Sequence, residues 1–184
     1  MLALQKYRWL FISPVAVTLL IGMAYARYRY VYPYGRSHCC DKQLYFALLE
    51  YADQHGGNFP AGEATPEASL SLIHDRHGHD YANLLCGKTG SEESTKRVLD
   101  DGKLLSPETC GWHYLEGLRS DDDPQLALFW DKEGLGHNGE RLTGGGHIVM
   151  FVDGFTKHII AEDWEQFRGD QRLLFAIKKK VPEQ

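Results

Sequence analysis

Residues 9 to 26, WLFISPVAVTLLIGMAYA, carry no charged side chain and constrain this chain more than any other stretch. Lys6 and Arg8 precede the run, and Arg27 and Arg29 come after it. A helix crosses the hydrocarbon layer of a membrane with about 20 apolar residues, the range being roughly 17 to 25. The run is near the short end, and Tyr7, Trp9, Tyr25 and Tyr28 are placed to extend it as interfacial anchors. The sequence therefore predicts a transmembrane anchor over residues 9–26, after a cytoplasmic N-terminus of residues 1–8. Two alternatives stand beside it. In a cleavable signal peptide, Lys6 and Arg8 form the charged lead and Ala24-Tyr25-Ala26 the small-x-small cleavage site. The other is a buried core helix. Charge does not orient the span, because Arg27, Arg29 and Arg36 argue against export of the C-terminal part.

Residues 27–36 read as a tyrosine-rich juxtamembrane connector, in which Pro33 and Gly35 interrupt any continuous helix. Residues 37–184 read as one globular domain. Ser37 is placed to cap a helix from Asp41 to His55. Leu44, Leu48 and Tyr51 form one stripe of that helix, with Tyr45, Leu49 and Ala52 beside it, a face wide enough to pack on a sheet. Gly56-Gly57-Asn58 ends it. Thr65-Pro66-Glu67 supplies a capping hydroxyl, a proline at the first helical position and an acid near the positive end, so a short helix runs on through Leu70 and Ile73. Residues 92–100 continue the helical signal. Strands are predicted at Trp112 to Leu115, Gln125 to Trp130, His147 to Val152 and Phe155 to Ile160. Trp164, Phe167 and the run from Leu173 to Ile177 predict a final helix or strand that returns to the core. The fold class is α+β, with a helix packed on a small antiparallel sheet.

The stretch GGGHIVMFVDGFTKHI, residues 144 to 159, poses a choice between a phosphate cradle and a hairpin. A cradle needs a helix N-terminus aimed at the anion, whereas Ile148, Val149 and Val152 mark a strand. Asp153-Gly154 between two strand-like runs predicts a two-residue type I′ turn, with positive φ at both central positions. Cys86-Gly87-Lys88-Thr89 ends like a phosphate-binding loop, but that motif needs glycine five residues before the Gly-Lys pair, and Ala82 stands there. No cofactor is expected. The net charge of −5 and the lack of an aromatic-basic motif give no support to a nucleic-acid partner.

The densest set of metal-ligating side chains is His74-Asp75-Arg76-His77-Gly78-His79-Asp80. His74, His77 and His79 are its metal candidates, though no second cluster completes four ligands, and a solvated polar loop is the simpler reading. Asp121-Asp122-Asp123, Asp131 with Glu133, and Glu162-Asp163 read as solvated charge, the triplet being a calcium candidate. Cys39 and Cys40 are vicinal. Cys86 and Cys110 lie in separate loops; outside the cytoplasm they could form a disulfide worth roughly 3 kcal/mol, and free buried thiols are the alternative. His113 is near Cys110 in sequence, but nucleophile, base and oxyanion donors do not assemble into a set. No catalytic residue is assigned, and the chain reads as not an enzyme.

One resemblance organises these pieces. The apolar N-terminal run, the helix QLYFALLEYADQHGGNFP, a cysteine in a loop, the segment WHYLEGL, a strand ending Trp130-Asp131, His137-Asn138-Gly139 and finally HIVMFVDGFTKHI occur in that order. This resembles the prepilin-like proteins related to the pseudopilins of type II secretion, in the branch with a C-terminal His-x9-Asp-Gly signature. Asp153 and Gly154 match the Asp-Gly turn, His137 is nearest to the signature histidine, and Cys86 matches the loop cysteine. The prepilin processing motif and an acid within the span are absent, so a stand-alone relative fits better than a filament subunit. The resemblance implies a single-pass protein of the bacterial inner membrane with its pilin-like globular domain outside the cytoplasm, in the periplasm. It implies a non-enzymatic structural role through contacts with other envelope or secretion proteins, or with itself. The alternative function is a membrane-anchored metal- or small-ligand-binding module using His74, His77 and His79.

Overall fold

The structure, a computed structural model, describes residues 3–36, 41–74 and 80–179, with the side chains of the first helix described from Pro14 onward. The expectations placed on Ser37, Cys39, Cys40, His77 and His79 lie outside the described residues. The chain is α+β. Helix α1 (Ala3–Val31) leads to α2 (Asp41–Gln54), α3 (Pro66–Leu70), α4 (Ala82–Leu85) and α5 (Glu92–Asp100). Strands β1 (Trp112–Tyr114), β2 (Ala127–Asp131), β3 (His147–Phe151) and β4 (Thr156–Ile159) form one antiparallel sheet in sequential order, and α6 (Trp164–Lys178) closes the fold.

The first helix corrects the anchor. Among the described residues no helix is long and apolar enough to cross a membrane. The uncharged run of residues 9 to 26 covers about 27 Å at 1.5 Å per residue, against about 30 Å of hydrocarbon. Arg27 and Arg29 then ride on the same helix, which continues to Val31 rather than breaking at a connector. The transmembrane span at 9–26, the single-pass placement in an inner membrane and the outward-facing domain are therefore not supported. Helix α1 contains Pro14 and ends only just before Pro33 and the left-handed Gly35 (φ 89°).

Of the face of α2 read from its periodicity, Leu44, Leu48 and Ala52 are fully enclosed and Tyr45 is buried, while Leu49 and Tyr51 are half-buried. The buried ones join Trp112, Tyr114, Leu126, Leu128, Phe129, Met150 and Val152 in the main core. A register shift between Ala127 and Phe129 explains how both Leu128 and Phe129 reach this core, since a bulge lets two consecutive residues share one side. Thr65 caps α3 by accepting the Ala68 N–H at 3.1 Å. The other face of the sheet carries Ala127, Val149 and Ile159, over which Trp130, Phe151, Trp164 and Phe167 pack. There the final segment is a helix, α6. It is tied down by Gln171, whose Oε1 accepts the Ala127 N–H at 2.8 Å and whose Nε2 donates to the Gln125 carbonyl at 3.0 Å.

The β3–β4 connection differs from the expected type I′ turn. No residue other than glycine has positive φ among the described residues, so Asp153 cannot supply the first mirror-image position. Instead the Gly154 N–H donates to the Phe151 carbonyl (2.9 Å), the Phe151 N–H donates to the Phe155 carbonyl (3.0 Å), and only Gly154 is left-handed (φ 80°). This is the three-residue hairpin with a glycine bulge. The Asp153 carboxylate accepts the Phe155 N–H at 2.9 Å, and the Tyr45 hydroxyl donates to the Val152 carbonyl at 2.8 Å. A Cβ at position 154 would stand 2.5 Å from Tyr45 Cε1. Gly154→Ala is expected to cost at least about 1–2 kcal/mol from the left-handed backbone alone, and more from the clash with the ring. A urea midpoint unchanged within error would contradict this.

Candidate functional site

The long β2–β3 connection, Lys132 to Gly146, is the element that positions the site. It is folded on itself: the Gly136 N–H donates to the Glu140 carbonyl (2.7 Å) and the Asn138 N–H to the Glu140 carboxylate (2.8 Å). Leu135 and Arg141 pair across it. From this base it grips the end of α1. The Arg141 N–H donates to the Val31 carbonyl at 2.8 Å, and Arg141 Nε donates to the Tyr30 carbonyl at 2.9 Å. Its guanidinium lies 5.6 Å from the Tyr30 ring centroid. The Tyr34 hydroxyl donates to Glu133 Oε2 at 3.1 Å. The last carbonyls of a helix have no partner within it and carry partial negative charge, so an arginine there both bonds and neutralises them. Helix α1 is thus held at a fixed direction from the body.

The same connection lies over a buried ionic cluster. Lys88 Nζ, fully enclosed, sits 3.0 Å from Asp41 Oδ1 and donates to the Leu135 carbonyl at 3.3 Å. It also lies 5.5 Å from the Trp112 ring centroid. Asp41, itself buried, starts α2, and its other oxygen is 2.8 Å from His137 Nδ1. His137 is half exposed at the rim. Asp131 is fully buried at the end of β2; its Oδ1 accepts the Glu133 N–H at 2.8 Å, while Oδ2 has no partner among the described residues. Burial pushes the Asp131 carboxyl above its ordinary range and nearby Asp41 adds to this, against the opposing pull of Lys88. The cluster joins the start of α2, the α4–α5 connection and the β2–β3 connection. It can fix these segments together: Lys88, Asp41 and Asp131 are buried, and His137 is its half-exposed member.

On the far side of the clamp, α1 stands uncovered. Val15, Leu19, Leu20, Ile21, Met23 and Tyr25 are each 60–64% exposed, and Val17 is 51% exposed. These positions go all the way round the helix. A helix that is apolar on every side is stable in water only when something encloses it.

The sequence-predicted residues fall in several places. Asp153 and Gly154 lie in the β3–β4 connection described above. Cys86 and Cys110 are free and buried, so the disulfide is not formed. The Cys86 thiol donates to the Asn83 carbonyl (3.3 Å) and the Cys110 thiol to that of Trp112 (3.8 Å). Burial pushes both thiols up to about 11, which leaves them protonated and poor nucleophiles at neutral pH. His113 is exposed, its ring tilted at 35° against Trp130 with centroids 5.6 Å apart, and desolvation on that side holds its imidazole below the ordinary range. Both ring nitrogens of His74 are enclosed without a hydrogen-bond partner among the described residues. No group of three or more His, Cys, Asp or Glu among the described residues is arranged to hold a metal. The acidic triplet is spent on local structure: Asp121 pairs with Arg119 at 2.9 Å, Asp122 with Lys178 at 3.3 Å, and Asp123 accepts the Gln125 N–H at 2.9 Å.

Sequence reasoning misses Asp41, Lys88 and Arg141. Lys88 is visible only as the end of a failed phosphate-loop motif. Nothing in residue spacing pairs it with Asp41, because the two meet only after α2 and the sheet have packed.

No family model, no curated protein and no solved structure matches this chain. The prepilin, pseudopilin and type II secretion terms drawn from the resemblance therefore have no support, and the membrane terms fall with the correction to α1.

Proposed function

We propose that this chain is a non-enzymatic assembly protein, which associates with further copies of itself by bundling α1 while the globular body stays outside the bundle. The observation that carries this is the row of apolar side chains on α1, each more than half exposed. The polar content of the row is low. The hydroxyl of Thr18 already donates to the Pro14 carbonyl at 2.9 Å, so burying it leaves no unpaired donor. An identical helix offers the same all-round apolar character, and several copies cover more than one side. The Arg141 clamp gives the bundle a fixed geometry relative to the body. The absence of an activated nucleophile among the described residues favours assembly over catalysis.

The test is chemical cross-linking of the full chain beside Leu20→Glu. An unpaired carboxylate inside a bundle costs several kcal/mol, enough to weaken association by about 100-fold or more. Cross-linked oligomers are expected for the unaltered chain and only monomer for the variant. The body should melt unchanged, because Leu20 is 61% exposed. Equal cross-linking of both proteins would defeat the proposal.

A further inference from the structure

Helix α6 lies on the sheet with none of its residues fully buried, although it turns Trp164 and Phe167 toward the sheet's apolar face. The incomplete packing leaves a groove of about 350 Å³ between α6 and the sheet. Its apolar walls are Leu115, Ala127, Trp130, Phe167 and Phe175. Its polar rim is cationic: Arg168, Arg172 and Lys179 border it, and among the described residues no aspartate or glutamate does. That bias runs against a chain whose net charge is −5.

The three cations are not equally engaged. Arg168 pairs with Glu165 at 3.1 Å. Lys179 lies 4.8 Å from the Phe175 ring centroid. Arg172 donates only to the Arg168 carbonyl, at 3.3 Å, and forms no ion pair among the described residues. A guanidinium with free donors beside an apolar trough is suited to a carboxylate, which it can bind through two parallel hydrogen bonds. We infer that this groove binds a free single-chain fatty carboxylate, its chain against Trp130 and Phe175 and its head at Arg172, with Lys179 adding charge.

Size and shape select one chain. The volume is at the small end of the roughly 300–1,000 Å³ of ligand pockets. From Arg172 the groove runs about 10 Å along α6 to Lys179, enough to shelter about eight carbons of a chain whose end projects beyond it. A two-chain lipid does not fit such a trough. The ligand would supply the packing that α6 lacks and would tighten the helix on the sheet.

The test is calorimetric titration of the full chain with dodecanoate, kept below its micellar concentration, beside dodecanol and dodecyltrimethylammonium at matched concentrations. Saturable binding of one dodecanoate per chain is expected, with dodecanol at least about tenfold weaker and the cationic amphiphile weaker still. Arg172→Glu should weaken dodecanoate by about tenfold or more. Ala176→Trp fills the groove from an exposed position and should abolish binding. Since Ala176→Trp leaves α1 untouched, its loss of binding separates the groove from adsorption to that apolar helix. The inference is overturned if dodecanoate does not saturate, if dodecanol binds as tightly, or if binding survives Ala176→Trp. None of these outcomes depends on whether the chain self-associates.

Discussion

Asp41→Ala is expected to destabilise the protein by about 3–5 kcal/mol, because it strips a buried ammonium of its partner. Lys88 has no access to water, and besides Asp41 it has only the Leu135 carbonyl within hydrogen-bond reach among the described residues. Charge in a low-dielectric interior is costly unless it is paired, so the penalty comes mainly from Lys88 left alone rather than from the bond lost. Removing both partners with apolar residues of similar size, in Asp41→Leu with Lys88→Met, is expected to restore most of the loss. His137→Ala should cost no more than about 1 kcal/mol, since that contact is half exposed. Urea unfolding of the four proteins measures all of this. A single Asp41→Ala within about 1 kcal/mol of the parent, or a double variant as unstable as the single, would refute the ionic cluster as a structural pin.

Trp112→Ala has an expected loss of similar size, about 3–5 kcal/mol, for a different reason. Trp112 is 1% exposed and fills the core between β1, α4 and the buried lysine. Its indole meets Phe129 edge-on with centroids 5.3 Å apart, and its Nε1–H donates to the Leu84 carbonyl at 2.7 Å. Alanine leaves a cavity and takes one of its donors from the Leu84 carbonyl, which keeps the Gly87 N–H at 3.3 Å. It also removes the aromatic face that Lys88 approaches at 5.5 Å. Trp112→Phe keeps much of the volume but not the donor, and should fall between the parent and alanine. A thermal midpoint of Trp112→Ala indistinguishable from the parent would show that the core closes without this side chain.

The elements behind these two residues are unequally legible in the sequence. Helix α2 is legible because Leu44, Leu48 and Ala52 repeat at helical spacing and have one sheet to bury against. The hairpin is legible as a place, since Asp-Gly interrupts two β-branched runs. Its turn type is not, because that depends on Asp153 keeping negative φ while Tyr45 from a distant helix presses on Gly154. Helix α6 is ambiguous: the unbroken run Leu173 to Ile177 suits either a buried strand or a helix, and this helix is only half covered. Helix α4, Ala82–Leu85, is too short to show a period and is started by Asp80 accepting the Ala82 N–H at 3.1 Å.

The site is mostly illegible. The apolar run in α1 is plain, but reading it as a complete span counts residues without asking where the helix stops. Its actual end is fixed by Arg141, more than a hundred residues away in the chain, through the carbonyls of Tyr30 and Val31. Asp41 and Lys88 carry no joint signature. Ion pairs between separate elements are products of tertiary packing, and single-residue patterns do not encode them. The same holds for the two cysteines, whose burial as free thiols comes from the core around them and not from their spacing.

The claim that α1 brings copies of this chain together is tested most directly by sedimentation velocity of the full chain across a hundredfold range of concentration. A species larger than the monomer is expected in the parent, growing with concentration and lost in Leu20→Glu. A single monomeric boundary at every concentration, identical in the two proteins, would contradict it.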